Sequence, residues 1–282
     1  MEKYSFVSEN MLKYTNWHDC LCENFHCLNS NWYMKLLNME IEAEHPLNPY
    51  NKIYLTDDCV VIFEKPVIID CEADINNSNP IIINDELDLN HLNLYSYYEN
   101  DKISRKYKYA EIAFMTAEND FFVIEFLFKK SIMMWNRFDK ISWHEDEYCR
   151  KNRTEYYKKY NQIMNMLSEN NPKEVQQKGI ELAREIRYID DLLQPYFENE
   201  SKSLWKNCAK AISERKDDDL KNWMLVCSFW LQDMNHPGAG IIAERLKAFS
   251  DKDKLLREKE KAIKMAKIIG DKKWHDNIKK WL

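Results

Sequence analysis

Between Ser142 and Arg153 the chain reads SWHEDEYCRKNR, a charged stretch without strand or helix periodicity, and the sequence changes character across it. Upstream, apolar residues come in short β-branched runs. Ile53–Leu55, Cys59–Phe63 and Val67–Ile69 predict strands, with a tight turn at Asp57-Asp58 between the first two. Ile81–Ile83 follows a polar loop at Asn76–Pro80. Leu87–Leu89 and Leu92–Leu94 alternate in two pieces ahead of Tyr95, Tyr97 and Tyr98. Lys108–Thr116 and Phe121–Lys129 predict a hairpin around residues 117–120. Residues 1–45 read instead as helical or irregular, because Trp32, Leu36, Leu37 and Ile41 fall at helical spacing.

Downstream the strand-like runs stop. Tyr156, Tyr160, Ile163 and Leu167 mark one helix, and Pro172 opens a second that Pro195 ends. Further helices are predicted over Leu204–Ile212, from Asp217 to Leu231, and over Ala239–Phe249, Asp251–Ile269 and Lys272–Trp281. That makes seven helices of roughly 15 residues with short links, which suits antiparallel pairs stacked as a short α-solenoid, or a plain bundle. The expected fold class is α+β. An N-terminal mixed β-sheet domain with flanking helices occupies residues 1–150, its strands mainly antiparallel between about 50 and 130. An all-α domain occupies 151–282, and Ser142–Arg153 links the two.

With 282 residues, 45% hydrophobic and 31% charged, the chain has the apolar content for a real core. Glycine is scarce. The four occur at Gly179, Gly238, Gly240 and Gly270, which excludes a Gly-rich phosphate loop or dinucleotide turn from the first 178 residues. The net charge of −6 hides an asymmetry. Residues 1–150 carry 14 Lys/Arg against 26 Asp/Glu, a balance of −12, whereas 151–282 carry 27 against 21, a balance of +6. The front part should repel nucleic acid and attract a basic partner. The opening MEKYSFVSEN lacks an apolar leader region, so a cytoplasmic location with reduced thiols is expected. No run of 18 apolar residues predicts a membrane span.

His18, Cys20, Cys22, His26 and Cys27 have the residue types of a zinc site without its spacing. The expectation is no metal and no other cofactor, with the thiols as apolar fillers near Trp17 and Phe25. Pairs such as Asp57-Asp58 and Asp85-Glu86 sit as neighbours on turns, a poor geometry for sharing a catalytic pocket. Glu111, Glu125 and Lys129 read as an amphipathic strand and not as a nuclease centre. Ten lysines between Lys252 and Lys280 alternate with six acidic residues from Asp251 to Asp276, a solvated face and not a phosphate-binding stripe. Catalysis is not expected.

The most distinctive string is WLQDMNHPGA over residues 230–239, preceded by QQKGI (176–180), LQP (193–195), WKNCA (205–209) and DDDL (217–220). Over roughly residues 172–249 the chain resembles a family of uncharacterised bacterial helical domains that carry a WLQDxNxPGA signature, look HEAT-like and recur around toxin–immunity systems. The chain departs from the family at His236, where Trp is expected. The resemblance implies a HEAT-like helical-repeat domain and a non-enzymatic, protein-binding role, that of an immunity protein neutralising a cognate toxin. Physically, Trp230 and Leu231 close a helix, Asp233 or Asn235 caps the next, Pro237 suits its first turn, and Gly238 permits close approach, with Trp205 upstream. Candidate partner contacts are the acidic Asp85, Glu86, Asp88, Glu145, Asp146 and Glu147. Two alternatives stand beside this. One is an enzyme of the HEAT-like DNA glycosylase type using Trp205, Trp223, Trp230 and Asp233. The other is an intracellular scaffold module.

Overall fold

Trp32, Met34 and Leu36 point to one side of a strand, not of a helix, and the helical reading of residues 1–45 is overturned. In a computed structural model the described residues are 4–74, 88–100, 103–115, 121–186, 189–194 and 202–282. The predicted loop at 76–80, the run 81–83, Leu87, the hairpin turn at 117–120 and Pro195 lie outside them. The chain divides into two compact units, Met1–Arg150 and Lys151–Leu282.

The first unit is built from strands β1 (Phe6–Glu9), β2 (Thr15–Asn16), β3 (Leu21–Leu28), β4 (Asn31–Leu37), β5 (Glu40–Ile41), β6 (Tyr54–Thr56), β7 (Cys59–Glu64), β8 (Val67–Asp74), β9 (Asp88–Asn100), β10 (Lys108–Met115), β11 (Phe121–Phe128), β12 (Lys130–Trp135) and β13 (Phe138–Ile141). Nine form one sheet in the order β1-β12-β7-β4-β3-β9-β10-β11-β8, and four form a second in the order β13-β6-β5-β2. Every described pairing is antiparallel, so the sheet is not mixed. Before residue 147 the described helical residues are two 3-10 turns, Leu12–Tyr14 and Trp143–Glu145, in place of the expected flanking helices.

The scarcity of glycine shapes this unit. Left-handed backbone positions are taken by Asn10, Asp19, Asn29, Ser30, Asn38 and Lys65, and Asn is the best non-glycine substitute there. Asn29 and Ser30, both at positive φ, close the β3–β4 hairpin in two residues, as a type I′ turn requires. The predicted β10–β11 hairpin is present, with Lys108 opposite Phe128 and Met115 opposite Phe121. The two leucine pieces are one 13-residue strand, β9, interrupted in register beside Tyr95. Asp57-Asp58 does not turn a hairpin, because β6 and β7 belong to different sheets. The Asp57 carboxylate accepts the backbone N–H groups of Asn136 (3.1 Å) and Arg137 (3.3 Å), tying this bend to the β12–β13 turn. Alternation along β4 and β7 puts Trp32 and Phe63 in the core, where both meet the ring of the buried Phe126 on β11, at 4.7 and 5.0 Å between centroids.

The second unit is helical. It contains α1 (Glu147–Met166, which begins in the first unit), α2 (Lys173–Ala183), α3 (Lys202–Ser213), α4 (Asp217–Leu220), α5 (Met224–Cys227), α6 (Ala239–Lys247), α7 (Lys252–Ile269) and α8 (Lys272–Trp281). Ser142–Arg153 is therefore no unpatterned linker. Ser142 caps the 3-10 turn, and Asp146 caps α1 by accepting the Cys149 N–H at 2.8 Å. The helix predicted from Asp217 to Leu231 is instead α4, a turn through Trp223, α5 and the 3-10 turn Ser228–Gln232. Helices thus run from 4 to 20 residues and are not uniform. Within this unit α2 packs on α3, α3 on α6, and α7 on α8.

Candidate functional site

Glu40 on β5 is only 2% exposed, and a buried carboxylate must find donors. It accepts Asn16 Nδ2 at 2.8 Å, the Ser142 hydroxyl, and His144 Nδ1 at 2.8 and 2.9 Å from its two oxygens. The segment is pinned a second way. Ser142 donates its N–H to the Ile53 carbonyl at 3.0 Å, and the Glu145 carboxylate accepts the Ile53 N–H at 3.0 Å.

Serine, histidine and glutamate in contact invite comparison with a nucleophilic triad. A triad places serine on one imidazole nitrogen and the carboxylate on the other, so that the base takes the serine proton while the acid orients the ring. Here hydroxyl and carboxylate both face Nδ1, and the hydroxyl donates to Glu40 itself. Ser142 is also buried. This arrangement is a latch fastening the small sheet to the chain entering α1, and it does not activate a nucleophile. The sequence carries no signal for it, because Glu40 and Ser142 are 102 residues apart.

Of the six acidic contact candidates, Asp85 and Glu86 lie outside the described residues. Asp88 opens β9 opposite His26. Glu145 and Asp146 hold backbone N–H groups as above. Glu147, the first residue of α1, is exposed.

The histidine and cysteine candidates do not converge. Cys20 and Cys22 are fully buried, and burial pushes both thiols up to about 12, which keeps them protonated at neutral pH. His18 is exposed and pairs with Asp19 at 3.0 Å, while His26 stacks on Tyr33 with ring centroids 5.4 Å apart. Among the described residues, no group of three or more His, Cys, Asp or Glu is placed to hold a metal. None of the eight cysteines is in a disulfide.

A surface cleft of about 880 Å³ is lined by Tyr4, Lys35, Asp57, Asp58, Val60 and Arg137, with Asn136. Its charges satisfy one another. Lys35 Nζ lies 2.6 Å from Glu23 and 2.9 Å from Asp58, and these hydrogen bonds raise its pKa above the usual lysine value.

The signature string forms a corner, by a different mechanism from the one predicted. Gly238 is the N-cap of α6 at φ +91°, and no side chain caps that helix. Asp233 instead accepts the Asn235 N–H at 2.9 Å and pairs with Lys273 at 2.8 Å, and these contacts, Lys273 first, hold its carboxyl down to about 2. Pro237 lies before α6, and its carbonyl accepts Nε1 of the fully buried Trp230 at 3.1 Å. His236 sets its ring at 90° to Trp205, 5.3 Å away, and donates from Nδ1 to the Trp230 carbonyl at 3.3 Å. Burial lowers its pKa. Two unpredicted residues of α8 complete the corner. Trp274 Nε1 donates to the Ser228 carbonyl (3.1 Å), and Asn277 Nδ2 to the Leu231 carbonyl (2.8 Å), so α8 holds the 3-10 turn near both of its ends.

No helix among the described residues is long and apolar enough to cross a membrane. Comparison with protein-family models, with curated proteins and with solved structures gives no match.

Proposed function

We propose that this chain is a bacterial immunity protein, a cytoplasmic, non-enzymatic binder that neutralises a cognate toxin through its acidic first unit. The observation that carries the reading is the balance of −12 over residues 1–150. An acidic surface of that size accelerates encounter with a basic toxin and competes for a groove evolved to hold an anionic substrate. The resemblance across residues 172–249 supports the same reading and a HEAT-like arrangement of the helices. Glu147 is the contact to test first, because it is exposed while Glu145 and Asp146 are engaged in holding backbone. The glycosylase alternative ranks below this. It needs Trp205 and Trp230 open to a flipped base, and they are 7% and 0% exposed. A scaffold role differs only in the identity of the partner.

The test is co-expression of the tagged chain with the product of the neighbouring gene, followed by affinity capture and mass spectrometry. One stoichiometric partner, released by salt and made harmless to the host by this chain, is the expected result. Absence of both complex and rescue overturns it.

A further inference from the structure

The positive balance of the second part of the chain is held by its last two helices. Residues 151–251 carry 16 Lys/Arg against 16 Asp/Glu, whereas 252–282 carry 11 against 5, so the whole excess of +6 falls on α7 and α8. The two helices pack together as a hairpin turned through Gly270 at φ +77°. Their signs alternate in sequence, but the fold separates them. Glu258 is buried and pairs with the buried Lys261 at 3.1 Å. Asp271 is half-buried as the cap of α8, accepting the Trp274 N–H at 2.8 Å. What stays exposed over 252–282 is eight Lys/Arg against three carboxylates, Asp253, Glu260 and Asp276.

Lys267 precedes the turn and Lys272 follows it. Lys279 and Lys280 come seven and eight residues later, on the same side of α8 as Lys272. All four are exposed, and among the described residues none has a carboxylate within ion-pair distance. Helix stability does not call for Lys272, which occupies the first turn of α8, where the macrodipole disfavours a cation. A rise of about 1.5 Å per residue sets Lys272 and Lys280 about 12 Å apart along the axis, a length that holds about four phosphates of one duplex strand. The apolar side of α8, Trp274 and Ile278, is fully buried, so this helix has no face to lay into lipid. An acidic protein would need an apolar anchor, and Leu256, the exposed large apolar residue of the hairpin, stands at the far end of α7 from the turn. Base edges are read mainly by Arg, Asn and Gln, and the one such side chain on α8, Asn277, is spent on the Leu231 carbonyl.

We propose that the α7–α8 hairpin binds the phosphate backbone of a nucleic-acid duplex without sequence preference, with Lys267, Lys272, Lys279 and Lys280 as its contacts. The proposal concerns the second unit and is independent of the toxin-binding reading. Fluorescence anisotropy of a labelled DNA duplex of about 20 base pairs, titrated with the full chain to about 300 µM, tests it. The expected result is a Kd on the order of 10⁻⁵ M at about 50 mM salt, with log K falling against log salt at a slope of about −3 to −4. Lys272→Glu combined with Lys279→Glu should weaken binding at least about tenfold and flatten that slope by about 2. Lys158→Glu combined with Lys159→Glu, at two exposed positions of α1, makes the same change in net charge and should leave the Kd within about threefold. A duplex left unbound throughout the titration overturns the proposal. Equal weakening by both pairs overturns it too, since net charge and not the hairpin then decides. So does tighter binding to phosphatidylserine vesicles or to polyglutamate than to the duplex.

Discussion

Gly238 is the position at which a single methyl group should matter most. A Cβ there would lie 2.5 Å from the Ala209 Cβ and would sit on a backbone at φ +91°. Left-handed strain and overpacking add, and Gly238→Ala should cost about 2–4 kcal/mol, read as a fall in urea midpoint. Gly240 is the control. Nothing lies within 4 Å of its Cβ position, so Gly240→Ala should be neutral or stabilise by up to about 1 kcal/mol. His45 makes a second prediction at this scale. It is 2% exposed, its Nδ1 accepts the Leu47 N–H at 3.1 Å, and burial lowers its pKa from 6.5 to about 4. The folded state keeps the ring neutral, whereas the unfolded chain takes up a proton near 6.5. The associated stability is therefore complete above that pH and is lost as pH falls towards 4, by about 3 kcal/mol in all. His45→Asn keeps an acceptor for Leu47 and removes the titration. Denaturant melts of both proteins near pH 7 and near pH 4.5 should show a smaller acid loss in the variant.

At the scale of elements, the Glu40 latch joins β5, β2 and the entry to α1. Glu40→Ala strands three donors, those of Asn16, Ser142 and His144, and should destabilise by about 2–4 kcal/mol. Amide exchange should rise first in β5, β6 and β13, with the large sheet following only at global unfolding. This element shows where sequence reading stops. Strands from residue 53 onward announce themselves through β-branched runs, and the change to helices after about residue 150 is equally plain. The β3–β4 hairpin was hidden for two reasons. Its turn is Asn29-Ser30 without glycine, and Trp32 and Leu36, four apart, satisfy a strand's period of two as well as a helix's 3.6. Met34, buried between them, is the residue that separates the two readings. In the signature corner the need for a tight, glycine-dependent approach was legible at Gly238. The role of Asp233 was not, because its partner Lys273 lies 40 positions away. No periodicity reports contacts at that distance.

At the scale of the whole molecule, charge is the organising quantity. The −12 and +6 balances give the two parts of the chain opposite long-range fields. Association with a basic partner through the first unit should therefore lose on-rate steeply with ionic strength, by roughly tenfold or more between about 50 and 500 mM salt, while dissociation changes little. Stopped-flow mixing of the captured pair measures both rates. An on-rate indifferent to salt would mean that the acidic surface is not the one engaged. The topology of the first unit also sets a timetable. Strand β1 is made first, yet its neighbour in the sheet is β12, so Phe6 finds its place only beside Trp135. At about 5–20 residues per second the ribosome needs on the order of ten seconds to deliver that partner. From the moment β7 is made until β12 arrives, β7 offers a bare edge, and a chain stalled before Lys130 keeps that edge for good. Premature termination in this stretch should yield aggregates that recruit chaperones, whereas a stop placed after Ile141 releases a sheet with every strand in place.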